Sequence, residues 1–236
     1  MQQSFGSRAA QRIKPLKLVI FDCDGTLVDS QHMIVAAMTQ AYAVHEIDAP
    51  AREHLLSIVG LSLIEAFTAL GKGAANYPVA SLAEQYKLAF HALRASGEHM
   101  EPLYPGAVDA IETLARRGDI ALGIATGKSQ RGVRLVLGHH GLIDHFSTIK
   151  TADDAPSKPD PGMVVDAMRE AGVTPADTVV VGDTVYDMNM AHAAGAAAIG
   201  VTWGYHSRQA LADSGASAVI DAFPALVPTL DKIWTS

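Results

Sequence analysis

"VIFDCDGTLVDS", Val19 to Ser30, sets two aspartates one residue apart at the close of an apolar run, with a glycine directly behind them. Leu18 to Phe21 are apolar and bulky, the composition of a strand buried on both faces. On such a strand Asp22 and Asp24 point to one side and Cys23 to the other. Gly25 offers the positive φ that a sharp exit requires. One reading makes the aspartates turn formers that cap the next segment. The other puts two carboxylates at the mouth of a parallel sheet, where their repulsion calls for a positive partner. A hard divalent cation such as Mg²⁺ takes oxygen ligands of this kind.

Further β-rich runs lie at 120–125, 178–181, 196–201 and 218–220, and stretches with helical spacing at 107–117, 130–139, 161–171, 185–194 and 223–234. Apolar strands alternating with helices predict an α/β fold, a doubly wound, Rossmann-like parallel sheet. Residues 30–100 break that rhythm with helical patterns and no convincing strand. They are read as a helical cap inserted after the first strand, over the sheet edge where open α/β folds bind ligands. The expected division is a leader at 1–17, a core of 18–29 with 101–236, and a cap at 30–100.

Of the 236 residues 49% are hydrophobic, enough for one large core with an appended unit. No apolar run reaches the roughly 18 residues that span a bilayer, so no membrane partner is expected. The formal charge of −7, with dispersed Lys and Arg, lacks the basic stripe of a nucleic-acid binder. Cys23 is the one cysteine, which precludes an intrachain disulfide and a cysteine-rich metal site and favours a reducing cytoplasm. The leader carries Arg8, Arg12, Lys14 and Lys17 without an acid, as organellar transit peptides do, and is read as a solvated N-terminus. The ten histidines offer no ligand set. "WGYH", Trp203 to His206, follows a strand end and is placed at the border of the site.

With its apolar lead-in, "DCDGTLVDS" resembles the first motif of the haloacid dehalogenase superfamily of phosphohydrolases. Three later stretches fit the other motifs in order: "GIATGKS" from Gly123, "SKPDP" from Ser157 and "VVVGDTVYDMNMAHAAG" from Val179. The resemblance implies that Asp22 is the nucleophile, forming an aspartyl phosphate, and Asp24 the general acid and then base. A proton on Asp24 is expected beside Asp22, because adjacent like charges raise one pKa of a pair. Thr126 and the amide of Gly127 would bind a phosphate oxygen, although Thr126 also reads as an ordinary helix N-cap. Lys158 would bridge nucleophile and phosphate. The implied Mg²⁺ is held by the carboxylates of Asp22 and Asp183 and the backbone carbonyl of Asp24, with Asp187 supporting from behind. A P-loop reading of "TGKS" fails, since GxxxxGK[ST] needs glycine where Leu122 stands.

The placement of the cap is similar to that in the phosphoglycolate phosphatase group, and "VGLSLIEAF", Val59 to Phe67, resembles its "VGxxLxxxF" stretch. The expected function is a Mg²⁺-dependent phosphatase acting on a small phosphorylated metabolite, a phosphomonoester like 2-phosphoglycolate, as monomer or homodimer. A sugar phosphomutase of the β-phosphoglucomutase type or an inorganic pyrophosphatase stands on the same scaffold. A phosphonate hydrolase needs a Schiff-base lysine in the cap, where Lys72 and Lys87 lack a matching motif. A non-catalytic phospho-acceptor module would lack the acid/base residue, yet Asp24 is present.

Overall fold

The computed structural model describes residues 15–97 and 101–235, so the leader lies outside it except for its last three positions. Lys17, the last of these, opens the first strand rather than closing the leader. Six parallel strands form one sheet: β1 (Lys17–Phe21), β2 (Ile120–Thr126), β3 (Thr148–Thr151), β4 (Thr178–Gly182), β5 (Ala197–Val201) and β6 (Ala218–Ile220). Their spatial order is β3-β2-β1-β4-β5-β6. The chain works outward from β1 to β3 and then returns to lay β4 against the other side of β1. The two halves of the sheet therefore diverge between β1 and β4, the switch point where such sheets leave a crevice beyond their carboxyl ends.

Both faces of β1 are buried, as its unbroken apolar run predicts. Val19 and Phe21 join one core layer with Val179, Val181 and Ile124, while Leu18 and Ile20 join the other with Val180, Met163 and Met188. Strand β3 was not expected. "TIKT" offers four residues with Lys150 at their centre, and it sits on the sheet edge, where a full apolar run is not demanded.

Four helices follow β1 within residues 30–97: α1 (Gln31–Val44), α2 (Arg52–Leu56), α3 (Leu63–Gly71) and α4 (Val79–Ser96). They bury an apolar cluster of their own, with Met33, Ala37 and Ala41 of α1 packed among Phe67 of α3 and Leu82, Phe90 and Leu93 of α4. Helices α5 (Ala107–Ala115), α6 (Gln130–His139), α7 (Gly162–Ala171), α8 (Val185–Ala193), the short α9 (Arg208–Asp213) and α10 (Leu226–Ile233) complete the chain.

Candidate active site

Every strand that carries a motif delivers it to the same rim. Asp22 follows the last residue of β1, Thr126 ends β2, and Asp183 follows the last residue of β4. Gly25 makes the exit from β1 possible twice over. Its φ is +84°, and a Cβ there would stand 2.3 Å from an oxygen of Asp183. Gly204, in the loop after β5, is confined in the same way, with a built Cβ 2.2 Å from Asp183. Side-chain-free backbone on two sides is what lets the Asp183 carboxylate sit fully buried at the switch point.

Asp22, Asp183 and Asp187 each offer a carboxylate oxygen within 4.8 Å of the others, all three groups buried. Lys158 is fully buried as well and lies 2.9 Å from Asp22 Oδ2 and 2.6 Å from Asp187 Oδ1. The ammonium thus holds two of the three carboxylates. Asp183 has only neutral partners among the described residues: Thr26 Oγ1 donates to Oδ1 at 2.8 Å and the Tyr205 amide to Oδ2 at 2.9 Å. Burial, with Asp187 and Asp22 adding like charge, therefore holds the Asp183 carboxyl well above the usual carboxylate range. Burial also pushes Asp22 up to about 6, against the pull of Lys158. Lys158 itself titrates higher than a free lysine, because Asp187 and Asp22 outweigh the burial that would lower it.

The cluster is short of positive charge, and a divalent cation fits that deficit. Asp22 Oδ1 accepts from the Cys23 amide at 2.6 Å, while Oδ2 faces Lys158 with no donor in hydrogen-bonding alignment. Asp22 Oδ2 thus keeps acceptor capacity that no hydrogen bond uses. Both oxygens of Asp187 are occupied instead. Oδ1 holds Lys158, and Oδ2 accepts from the Thr184 hydroxyl at 2.7 Å and the Thr184 amide at 3.0 Å, closing a capping box at the start of α8. Asp187 is thus both helix cap and anchor of Lys158.

Asp24 faces elsewhere. Its carboxylate accepts from Ser30 Oγ at 2.6 Å and from Lys128 Nζ at 2.8 and 3.1 Å. The Asp24 side chain is therefore not part of the carboxylate cluster of Asp22, Asp183 and Asp187. Lys128 is a second cation at the rim, held between Asp24 and Glu101 at 2.8 and 3.2 Å. Glu101 also receives Arg94 of α4, so the line Asp24–Lys128–Glu101–Arg94 ties the rim to the helical insert. Lys128 was in view within "TGKS". The available signal was its place just past a strand-ending Thr-Gly.

Thr126 is not the N-cap of α6. That role falls to Ser129, whose Oγ accepts from the Gly132 amide at 3.2 Å. Thr126 is free to face Asp22, with its own Oγ1 accepting from the Lys128 amide at 3.3 Å. Gly127 lies under the insert: a Cβ there would stand 2.6 Å from the carbonyl oxygen of Gly60 and 2.5 Å from that of Leu61, inside the "VGLSLIEAF" stretch. The "WGYH" segment does border the site. Tyr205 supplies the amide to Asp183, and His206 bridges core and insert, accepting from the Val185 amide through Nδ1 and donating through Nε2 to the Ser57 carbonyl at 3.1 Å.

The comparisons with known proteins agree with this architecture. The pattern of the haloacid dehalogenase-like hydrolase family matches residues 19–201. The chain belongs to that family of hydrolases. A probable phosphatase, IndB of Dickeya dadantii, is 35% identical over 222 residues, covering 91% of this chain and 93% of that protein. A phosphoglycolate phosphatase of Pseudomonas putida is 33% identical, covering 90% of this chain and 79% of its own. The crystal structure of a hydrolase from Pseudomonas syringae superposes with a TM-score of 0.81 at 28% identity, over 93% of this chain and 99% of that one. No helix among the described residues is long and apolar enough to cross a membrane.

Proposed function

We propose that this chain is a Mg²⁺-dependent phosphomonoesterase that works through an aspartyl phosphate on Asp22. The observation that carries the reading is the convergence of the Asp22 carboxylate, the Lys158 ammonium and the Asp183 carboxylate, whose partners among the described residues are neutral, at one buried point on the rim. The phosphatase names of the relatives support it. The carboxylates of Asp22 and Asp183 and the carbonyl of Asp24 would hold the metal, which supplies Lewis-acid polarisation of a phosphoryl oxygen and offsets the negative field of the pocket.

The chain's own residues divide the remaining work. An oxygen of Asp22 bonds to phosphorus while the P–O bond to the alcohol breaks, and the leaving oxygen takes a proton from Asp24. Water then gives a proton to Asp24 and bonds to phosphorus, the Asp22–phosphorus bond breaks, and inorganic phosphate leaves. Lys158, Thr126 and the Gly127 amide place fixed positive charge and donors around the phosphoryl oxygens. Lys128 and Ser30 hold the Asp24 side chain in place. The insert, packed over Gly127, acts as a cap that excludes water.

Chelation by EDTA should silence phosphate release and added Mg²⁺ restore it. Activity that survives thorough metal removal would contradict the metal's role. The same ion should stabilise the fold in a pH-dependent way. Without metal the Asp22 carboxyl is raised from 3.8 to about 6, so its contribution to stability is full below pH 3.8 and lost as pH rises through about 6. Mg²⁺ binds the ionised form. At a hundredfold excess over Kd it should add about 2.7 kcal/mol, a Tm rise of roughly 5–10 °C for a chain of this length. The rise should be clear at pH 7.5 and shrink towards pH 5; a shift independent of pH would count against Asp22 as a ligand.

Lys128→Met should lower kcat about 10–100-fold with a smaller change in KM, because it loosens a group that acts in the transition state rather than in binding. Lys128→Arg should recover part of the loss. Parent-like kcat in Lys128→Met would remove Lys128 from the scheme.

A further inference from the structure

A cavity of about 470 Å³ lies between the insert and the rim. Asp22, Asp24 and Thr126 line its floor, and Ile34, Met38, Ile58, Leu63, Tyr86 and Phe90 form the apolar wall opposite. Pockets of roughly 300–1,000 Å³ enclose a whole small molecule. A two-carbon acid attached to phosphate would leave most of this one to water.

Charge points the same way. Each lysine and arginine among the described residues lining the cavity already holds a carboxylate. Lys87 pairs with Glu84 at 2.8 Å. Arg94 forks onto Glu101, and Lys128 lies 2.8 Å from Asp24 and 3.2 Å from Glu101. The last two also rest against the Phe90 ring, 4.9 Å and 5.2 Å from its centroid, which fixes them between carboxylate and aromatic ring. An anionic tail on the leaving group would lose its water here and gain only cations already held by carboxylates, Arg94 and Lys128 by Glu101 and Asp24 within the wall and Lys87 by exposed Glu84 at the surface. An uncharged apolar body would gain from leaving water.

We propose that the leaving group of this enzyme is an uncharged alcohol with an apolar body at least as large as benzyl, and that glycolate, small and anionic, is a poor fit. The proposal rests on the phosphatase reading above and names the substrate class of the same site. It assigns specificity to the wall of the insert, with Tyr86 and Phe90 of α4 as the principal contacts.

The test is kcat/KM, with Mg²⁺ present, for three unactivated alkyl esters: benzyl phosphate, ethyl phosphate and 2-phosphoglycolate. Benzyl phosphate should exceed 2-phosphoglycolate by at least about tenfold, with ethyl phosphate between them. Tyr86→Ala should lower the benzyl-to-ethyl ratio about tenfold. Ile64→Lys, at a cavity position 49% exposed to solvent and so tolerant of a charge, should raise 2-phosphoglycolate relative to ethyl phosphate about threefold by adding an unshared cation. A parent enzyme that uses 2-phosphoglycolate as well as or better than benzyl phosphate would overturn the proposal and leave the phosphatase reading standing. Phosphate release from none of the three esters would overturn both.

Discussion

Asp22→Asn should fold as the parent does and release phosphate at least about 10⁴-fold more slowly, because an amide does not attack phosphorus and no neighbouring group replaces the lost nucleophile. The fold should survive for reasons visible at the site. Asparagine keeps the Oδ1 that accepts from the Cys23 amide at 2.6 Å. It removes one of three buried carboxylates that crowd each other, while Asp187 still holds Lys158 at 2.6 Å. Near pH 7.5 without metal, stability should therefore equal or exceed that of the parent, and urea unfolding measures it. Phosphate release by purified variant, free of parental carry-over, decides the mechanism. A folded Asn variant with near-normal turnover would remove Asp22 as nucleophile. Single-turnover hydrolysis in H₂¹⁸O adds a second test: the first round by the parent should place the label in Asp22 if water attacks the carboxyl carbon, or in phosphate alone if water attacks phosphorus as proposed here.

The sheet and the acidic rim were legible in the sequence because both follow from local pattern. Leu18 to Phe21 and Val179 to Val181 are apolar without a break, the pattern of a strand covered on both faces, and an aspartate follows the first run at once and the second after one glycine. Strand β3 was missed because an edge strand need not be apolar throughout, and α9 because six residues hold too little periodicity. The wiring around Asp24 was missed for a different reason. Lys128 reaches Asp24 across 104 residues, and Arg94 and Glu101 join only because the insert folds back over the rim. No spacing within one segment encodes such a pairing. The helix cap at Ser129 shows the converse: the sequence left Thr126 two readings, and one hydrogen bond from Gly132 to its neighbour chooses between them.

Lys158→Met should cost the metal-free protein about 3–5 kcal/mol at pH 7.5, the usual result of removing one partner from a buried ion pair. Lys158 is among the largest fully buried side chains, so methionine fills the volume and the loss reports charge rather than a cavity. Asp22 and Asp187 would then face each other and Asp183 with no cation between them. The Asp22 carboxyl, already raised by burial, should rise further, and a raised carboxyl favours the fold below its unfolded pKa and loses that advantage as pH rises through the folded value. The deficit should therefore be largest above neutrality and narrow as pH falls below about 6. Adding Asp187→Asn in the same chain should return part of the stability, because the second substitution removes a carboxylate that the first left unpaired. Activity should fall by about 10²–10³ in the single variant and stay low in the double, since neither restores a fixed cation beside the phosphoryl oxygens. Stability measured by urea unfolding in EDTA separates the two effects. A Lys158→Met protein as stable as its parent at pH 7.5 would mean that the three carboxylates are not ionised together, and the need for a metal at this rim would fall with that result.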